Sequence, residues 1–178
     1  MKLHDLEHII RACADITGQY EFIIIGSQAI LGSQPWPEDV LTLSMEADIY
    51  PLQAPELADM IEGNIGEGSS FHDSFGYYAQ GVGPETAYLP TGWLQRVRRI
   101  QSENTRGYVG YCLSALDLFL AKAAAARDKD RIYCTALLSY GYVQIDAALE
   151  LVSTMPLDAL AQQKLRQRIR RWAKSAQP

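Results

Sequence analysis

Tyr20-Glu21-Phe22-Ile23-Ile24-Ile25-Gly26-Ser27-Gln28-Ala29-Ile30-Leu31, followed by Leu43-Ser44-Met45-Glu46-Ala47-Asp48-Ile49-Tyr50-Pro51, decides the fold. The apolar, β-branched run Tyr20 to Ile25, bounded by Gly26, reads as a buried strand. Gly26-Ser27 then makes a turn, and Gln28 to Leu31 open a short helix. That places the Ser27 hydroxyl and several unpaired backbone N–H groups at a helix N-terminus, a corner that attracts phosphate. The second stretch reads as a strand from Leu43 to Tyr50 that stops at Pro51. Side chains two apart on a strand share a face, so Met45, Ala47 and Ile49 point one way and Glu46 and Asp48 the other. Two carboxylates held side by side repel and need a compensating cation. An oxygen-rich site with open positions suits Mg²⁺, which keeps waters and takes phosphate oxygens as its remaining ligands.

Working outward, Leu6 to Ile16 reads as an amphipathic helix with Leu6, Ile9, Ile10, Cys13 and Ile16 inward, ended near Gly18. Pro55 to Ile65 reads as a second helix, with proline in its first turn and Gly66 past its end. Phe75 to Leu89 reads as short strands broken by Gly76, Gly81, Gly83 and Pro84, and Arg96 to Gln101 and Tyr108 to Leu113 add further strands to a mixed sheet. Beyond Leu113 the strand signals fade. Ser114-Ala115-Leu116-Asp117 is a capping box that opens an alanine-rich helix to about Arg127. Helices from Lys129 to about Ser139, from Gln144 to Thr154 and from Leu157 to Lys174 complete the chain, with Pro156 at the last break. The expected class is α/β (α+β): a mixed sheet with flanking helices over residues 1–113, then a helical C-terminal lobe over residues 114–178.

At 178 residues and 48% hydrophobic content, the chain is long enough to bury a real core. No segment has the length and apolarity of a transmembrane helix, and Met1-Lys2-Leu3-His4-Asp5 lacks the apolar run of a signal peptide, so a cytoplasmic protein without membrane contact is expected. Cys13, Cys112 and Cys134 sit among apolar residues without regular spacing, which predicts reduced, buried thiols. The net charge of −5 is unevenly spread. Lys164, Arg166, Arg168, Arg170, Arg171 and Lys174 fall in a tail without acids, where Leu165, Ile169 and Trp172 form the apolar side of a helix. Its basic face reads as a solubilising surface or as a contact to RNA phosphates or an acidic partner. His4 and His8, one helical turn apart, read as surface residues. His72-Asp73 reads as a turn-stabilising pair, with substrate contact as the alternative. No two histidines have metal-ligand spacing.

The order Gly26-Ser27, then Glu46-x-Asp48, resembles the signature of the nucleotidyltransferase fold of the DNA polymerase beta superfamily. Within it the chain more closely resembles small AbiEii-type toxin nucleotidyltransferases and a neighbouring uncharacterised bacterial family, whose pattern is similar to Gly26 to Gly32, Glu46 to Pro51, Phe71 to Tyr78, Leu89 to Trp93 and the group Asp117, Leu118, Lys122, Arg127, Asp128, Lys129 and Asp130. The resemblance implies that Gly26 and Ser27 hold the triphosphate of an NTP, that Glu46 and Asp48 bind Mg²⁺ and are catalytic, and that Lys122 reaches the phosphates. The superfamily commonly has Asp where this chain has Glu46. It also commonly supplies a third carboxylate from a neighbouring strand, where this chain carries Gln80; Asp73 and Glu85 are the nearest substitutes. The implied activity is transfer of a nucleoside monophosphate to an RNA, such as a tRNA 3′ end, or to a protein hydroxyl, in a toxin–antitoxin or defence setting with a cognate partner. The alternative is a degenerate fold that binds nucleotide, or neutralises a partner, without chemistry.

Overall fold

The structure, a computed structural model, describes residues 1–176. The chain forms two compact units, one of Met1–Thr86 with Val97–Leu113, the other of Ala87–Arg96 with the chain from Ser114 onward. The first unit holds helix α1 (Leu3–Thr17), strands β1 (Glu21–Ile24) and β2 (Glu46–Pro51), helices α2 (Ala58–Ile65) and α3 (Ser70–Phe75), and strands β3 (Tyr78–Gly81), β4 (Arg98–Ile100) and β5 (Val109–Cys112). The strands form one mixed sheet in the order β3-β2-β1-β5-β4. Strand β1 pairs antiparallel with β2 and parallel with β5, while β2 pairs parallel with β3.

The register assigns the two faces. Ile24 lies opposite Ile49 and Cys112, and Ile49 lies opposite Gly81, so these residues share one face with Ala47 and Gly110. Helices α1 and α2 cover that face. A side chain at Gly110 would run into Ile10 of α1, and one at Gly81 would meet the Ala58 carbonyl oxygen of α2 at 1.9 Å. Leu6, Ile9, Ile10 and Cys13 of α1 are buried against this surface together with Phe22, Ile24 and Ile61. Each such aliphatic side chain contributes about 1.5–3 kcal/mol when fully buried. Glu46 and Asp48 alternate with Ala47 and Ile49, so they project from the opposite face of the sheet.

Three segments differ from the sequence expectation. Strand β2 begins at Glu46, so Met45 is not a core residue; it is 53% exposed. Of the expected strands between Phe75 and Leu89, only Tyr78–Gly81 pairs. Residues Ser70–Phe75, where the sequence suggests only a turn around His72-Asp73, form α3, because Ser69 caps it by accepting from the His72 N–H and Gly76 closes it in the left-handed region, at φ 74°. Beyond β3, Pro84–Thr86 is a 3₁₀ turn.

Close packing at Gly81 gives a stability prediction. Gly81→Ala forces β3 away from α2, because a backbone carbonyl cannot yield as a side chain can, and it should cost about 2–3 kcal/mol. Urea denaturation measures this, and an unchanged midpoint would refute the described packing.

The second unit contains α4 (Ala115–Ala125), α5 (Asp128–Ser139), α6 (Ile145–Leu151) and α7 (Ala159–Ala176). Ser114 caps α4 by accepting from the Asp117 N–H at 3.1 Å, as the sequence predicts. The fully buried Asp117 carboxylate accepts in turn from the Ser114 hydroxyl and from Arg96, whose Nη2 lies 2.6 Å from Oδ1. Helix α7 buries Leu165, Ile169 and Trp172. Two of its basic residues serve docking: Arg166 donates to the Leu149 carbonyl and Arg168 to that of Ala123, each at 2.6 Å. No helix among the described residues is long and apolar enough to cross a membrane.

Candidate functional site

Strand β1 delivers the chain to Gly26 and Ser27 beside the acidic face of β2. The Ile25 N–H donates to the Asp48 carbonyl at 3.0 Å, which fixes the corner against the middle of β2. Contact is closer still between Gly26 and the Asp48 side chain. A Cβ at position 26 would lie 1.5 Å from Asp48 Oδ2 and 2.5 Å from its Cγ. The carboxylate therefore fills the space that a side chain at 26 would need. Ser27 opens a 3₁₀ turn over Ser27–Gly32 rather than an α-helix, with the Ala29 N–H donating to the Gly26 carbonyl at 3.0 Å. Gln28, fully buried in that turn, donates from Nε2 to the Ser44 carbonyl at 2.9 Å. This bond ties the corner to the residues that lead into Glu46.

Glu46 lies directly opposite Tyr78 in the β2–β3 pair, and the Tyr78 hydroxyl donates to Glu46 Oε2 at 3.2 Å. Burial, then the Glu46 charge and this bond, push the Tyr78 phenol up to about 12, so the hydroxyl remains a donor at neutral pH. Asp48 lies opposite Gln80, which is exposed. Tyr50 shares their face at the buried end of the strand, its phenol pushed up to about 12 by burial and by the negative charge of Glu85.

Among the described residues, no group of three or more His, Cys, Asp or Glu side chains is arranged to hold a metal ion. Asp73, exposed on α3, and Glu85, exposed in the turn Pro84–Thr86, therefore do not complete a three-donor set with Glu46 and Asp48. Two carboxylates still suit Mg²⁺, whose other positions are taken by waters and substrate phosphates. The Gly26 cradle brings one of them against the corner that would receive those phosphates.

Lys122 belongs to the second unit. It is buried, at 7% exposure, with Nζ 3.4 Å from Asp130 Oδ1 and 4.5 Å from the Tyr133 ring centre. Asp130 is fully buried and also accepts from Arg127, through Nε at 2.8 Å and the backbone N–H at 3.1 Å. Burial lowers the Lys122 ammonium from its ordinary value, and the Asp130 charge works against that shift. Burial alone would raise Asp130, but the Arg127 hydrogen bond and the Lys122 charge outweigh it and hold the carboxyl below the ordinary aspartate value.

A pH dependence follows. A carboxyl depressed by folding stabilises the protein above its unfolded value, and that contribution is lost as pH falls through the folded value. Asp130→Ala should cost about 3–5 kcal/mol at neutral pH, because it takes the buried ammonium's carboxylate away. The gap between wild type and variant should close as pH falls below the ordinary aspartate range and the wild-type carboxyl protonates. Denaturant midpoints across this range are the measurement; a gap independent of pH would sink the assignment.

His8 is not a plain surface residue. Its ring packs on Phe71 and Phe75 at 5.0 and 4.6 Å between centroids, Nδ1 lies 2.9 Å from the Tyr77 hydroxyl, and burial lowers its basicity. His72 likewise sits in α3, not in a turn pair with Asp73, and its ring lies 4.7 Å from that of Tyr78. All three cysteines are free and buried. The sequence assigned no role to Tyr78 or Gln28, although both lie in the stretches that carry the resemblance; only strand register brings Tyr78 to Glu46, and only turn geometry brings Gln28 to the Ser44 carbonyl.

A mixed sheet with a Gly-Ser corner packed against an acid-x-acid strand defines a nucleotidyltransferase-type α/β core. The profile of one family, described as "nucleotidyltransferase of unknown function (DUF6036)", matches residues 1–177, and the chain belongs to that family. No curated protein and no solved structure matches the chain.

Proposed function

We propose that the protein is a Mg²⁺-dependent nucleotidyltransferase that moves a nucleoside monophosphate from an NTP to a hydroxyl, either of RNA at a tRNA 3′ end or of a protein. The observation that supports this reading is the contact between the Gly26 backbone and the Asp48 carboxylate, which sets the corner read for phosphate beside one of the two acids read for metal. In this reading Gly26 and Ser27 hold the triphosphate; a role for Lys122 at the phosphates is carried by the sequence resemblance alone. Glu46 and Asp48 hold Mg²⁺, which when bound neutralises charge on the leaving pyrophosphate and orients the attacking hydroxyl. The acceptor oxygen bonds to the α-phosphorus, the bond to the bridging oxygen breaks, and pyrophosphate leaves while the hydroxyl proton passes to water. The toxin–antitoxin or defence setting, with its cognate partner, is carried by the sequence resemblance alone.

A second reading, a nucleotide-binding module without chemistry, is favoured by one observation: Gln80 faces Asp48, and Asp73 and Glu85 do not complete a three-donor metal set. The experiment separates the two. Purified protein and its Asp48→Asn variant are incubated with Mg²⁺, each labelled NTP in turn, total tRNA and cell lysate. Label on RNA or on a protein band that disappears in the variant supports transfer and names the acceptor class. Nucleotide binding without transfer supports the module, and neither binding nor transfer overturns both.

A further inference from the structure

The two acids of the site differ in length. Asp48 has a short side chain, and its carboxylate rests against the Gly26 backbone. Glu46 carries one more methylene and one more rotor, starts at the first residue of β2, and is half-buried. A carboxylate on a longer stem must be held if it is to share a ligand with a fixed neighbour, because each freely rotating bond frozen on binding weakens affinity.

A holding group is present. The Tyr78 hydroxyl donates to Glu46 Oε2 from the directly opposite position on β3. Tyr78 is itself braced: its ring lies 4.7 Å from the His72 ring, inclined at 50°. His72 is fixed by the Gly68 N–H, which donates to Nδ1 at 3.0 Å, and by the Ser69 hydroxyl, which accepts from its backbone N–H at 3.2 Å. Acceptance at Nδ1 places the proton of the neutral imidazole on Nε2. A capped helical turn thus supports an imidazole, the imidazole supports a phenol, and the phenol supports the carboxylate.

We propose that Tyr78 is a positioning residue: its hydroxyl selects the Glu46 rotamer in which both carboxylates act on one divalent cation. This rests on the metal-site reading of Glu46 and Asp48. Tyr78 makes no contact with the cation and takes no part in bond making.

Mn²⁺ alone, followed by electron paramagnetic resonance, is the probe. Tyr78→Phe keeps the ring on His72 and removes only the hydroxyl, so its denaturation midpoint should match wild type while Mn²⁺ affinity falls roughly tenfold, the low end for outer-shell partners of a metal ligand. Glu46→Asp shortens the side chain out of reach of Tyr78, and in that background Tyr78→Phe should have no further effect. Where transfer is measurable, the Mg²⁺ concentration for half activity should rise in Tyr78→Phe while KM for the NTP stays the same. Equal loss of Mn²⁺ affinity in both backgrounds, or none in either, overturns the positioning role provided Asp48→Asn abolishes Mn²⁺ binding. Binding unaffected by Asp48→Asn overturns the metal site itself, and the role of Tyr78 with it.

Discussion

Asp48→Asn and Glu46→Gln should each lower Mg²⁺-dependent transfer by about three orders of magnitude, or about 4 kcal/mol of transition-state stabilisation. Each substitution keeps the shape of the side chain and removes its charge. The two residues share a face of β2, so the wild-type carboxylates repel each other whenever no cation is bound. Either amide relieves that repulsion, and the melting temperature without Mg²⁺ should stay level or rise. Added Mg²⁺ should stabilise the wild type and leave both variants unmoved, since only a state that binds the ion gains from it. Loss of activity together with a lower melting temperature would indicate a folding defect. Full activity in both variants would remove Glu46 and Asp48 from the site.

How much of this was legible in the sequence depends on which physical signal carried each feature. The apolar run Tyr20 to Ile25 and the Glu46-Ala47-Asp48-Ile49 alternation are local patterns, the first continuous and the second with a period of two, and the structure places a strand on each, at Glu21–Ile24 and Glu46–Pro51. Element types from α1 to α7 were largely readable for the same reason, and the Ser114 cap was readable from its own side chain. Tyr78 was not, since its link to Glu46 exists only through the parallel register of β2 and β3, which no local pattern encodes. Helix α3 was not read from the sequence, because a helix of six residues is too short to show a helical period, and the Ser69 cap and Gly76 stop that define it were left unread beside the turn reading of His72-Asp73. The burial of Lys122 was not legible either, since Asp130 and Tyr133 on the next helix give its ammonium partners in the interior and a contact between helices leaves no local pattern.

Gly26→Ala has the second largest expected effect, and it tests the corner where the acids alone cannot. At φ −79° and ψ −165° Gly26 has a backbone conformation open to any residue, so what requires glycine is space. A methyl group there would overlap Asp48 Oδ2, and the carboxylate is the part that can move. Rotation of Asp48 about its χ1 relieves the overlap at a modest cost, about 1–3 kcal/mol, but turns the carboxylate away from the phosphate corner. Activity should therefore fall about a hundredfold, the penalty of displacing a reacting group by about an ångström. The stability loss has a specific remedy. In an Asp48→Ala background Oδ2 and Cγ are gone and only the Cβ of residue 48 remains, 3.0 Å away, so Gly26→Ala should cost much less, and a double-mutant cycle in urea should show the two substitutions to be strongly coupled. Additive costs would mean that the methyl group meets something other than Asp48. Full activity in Gly26→Ala would mean that the corner and the carboxylate can separate without consequence, and the proposed union of phosphate and metal subsites would fall.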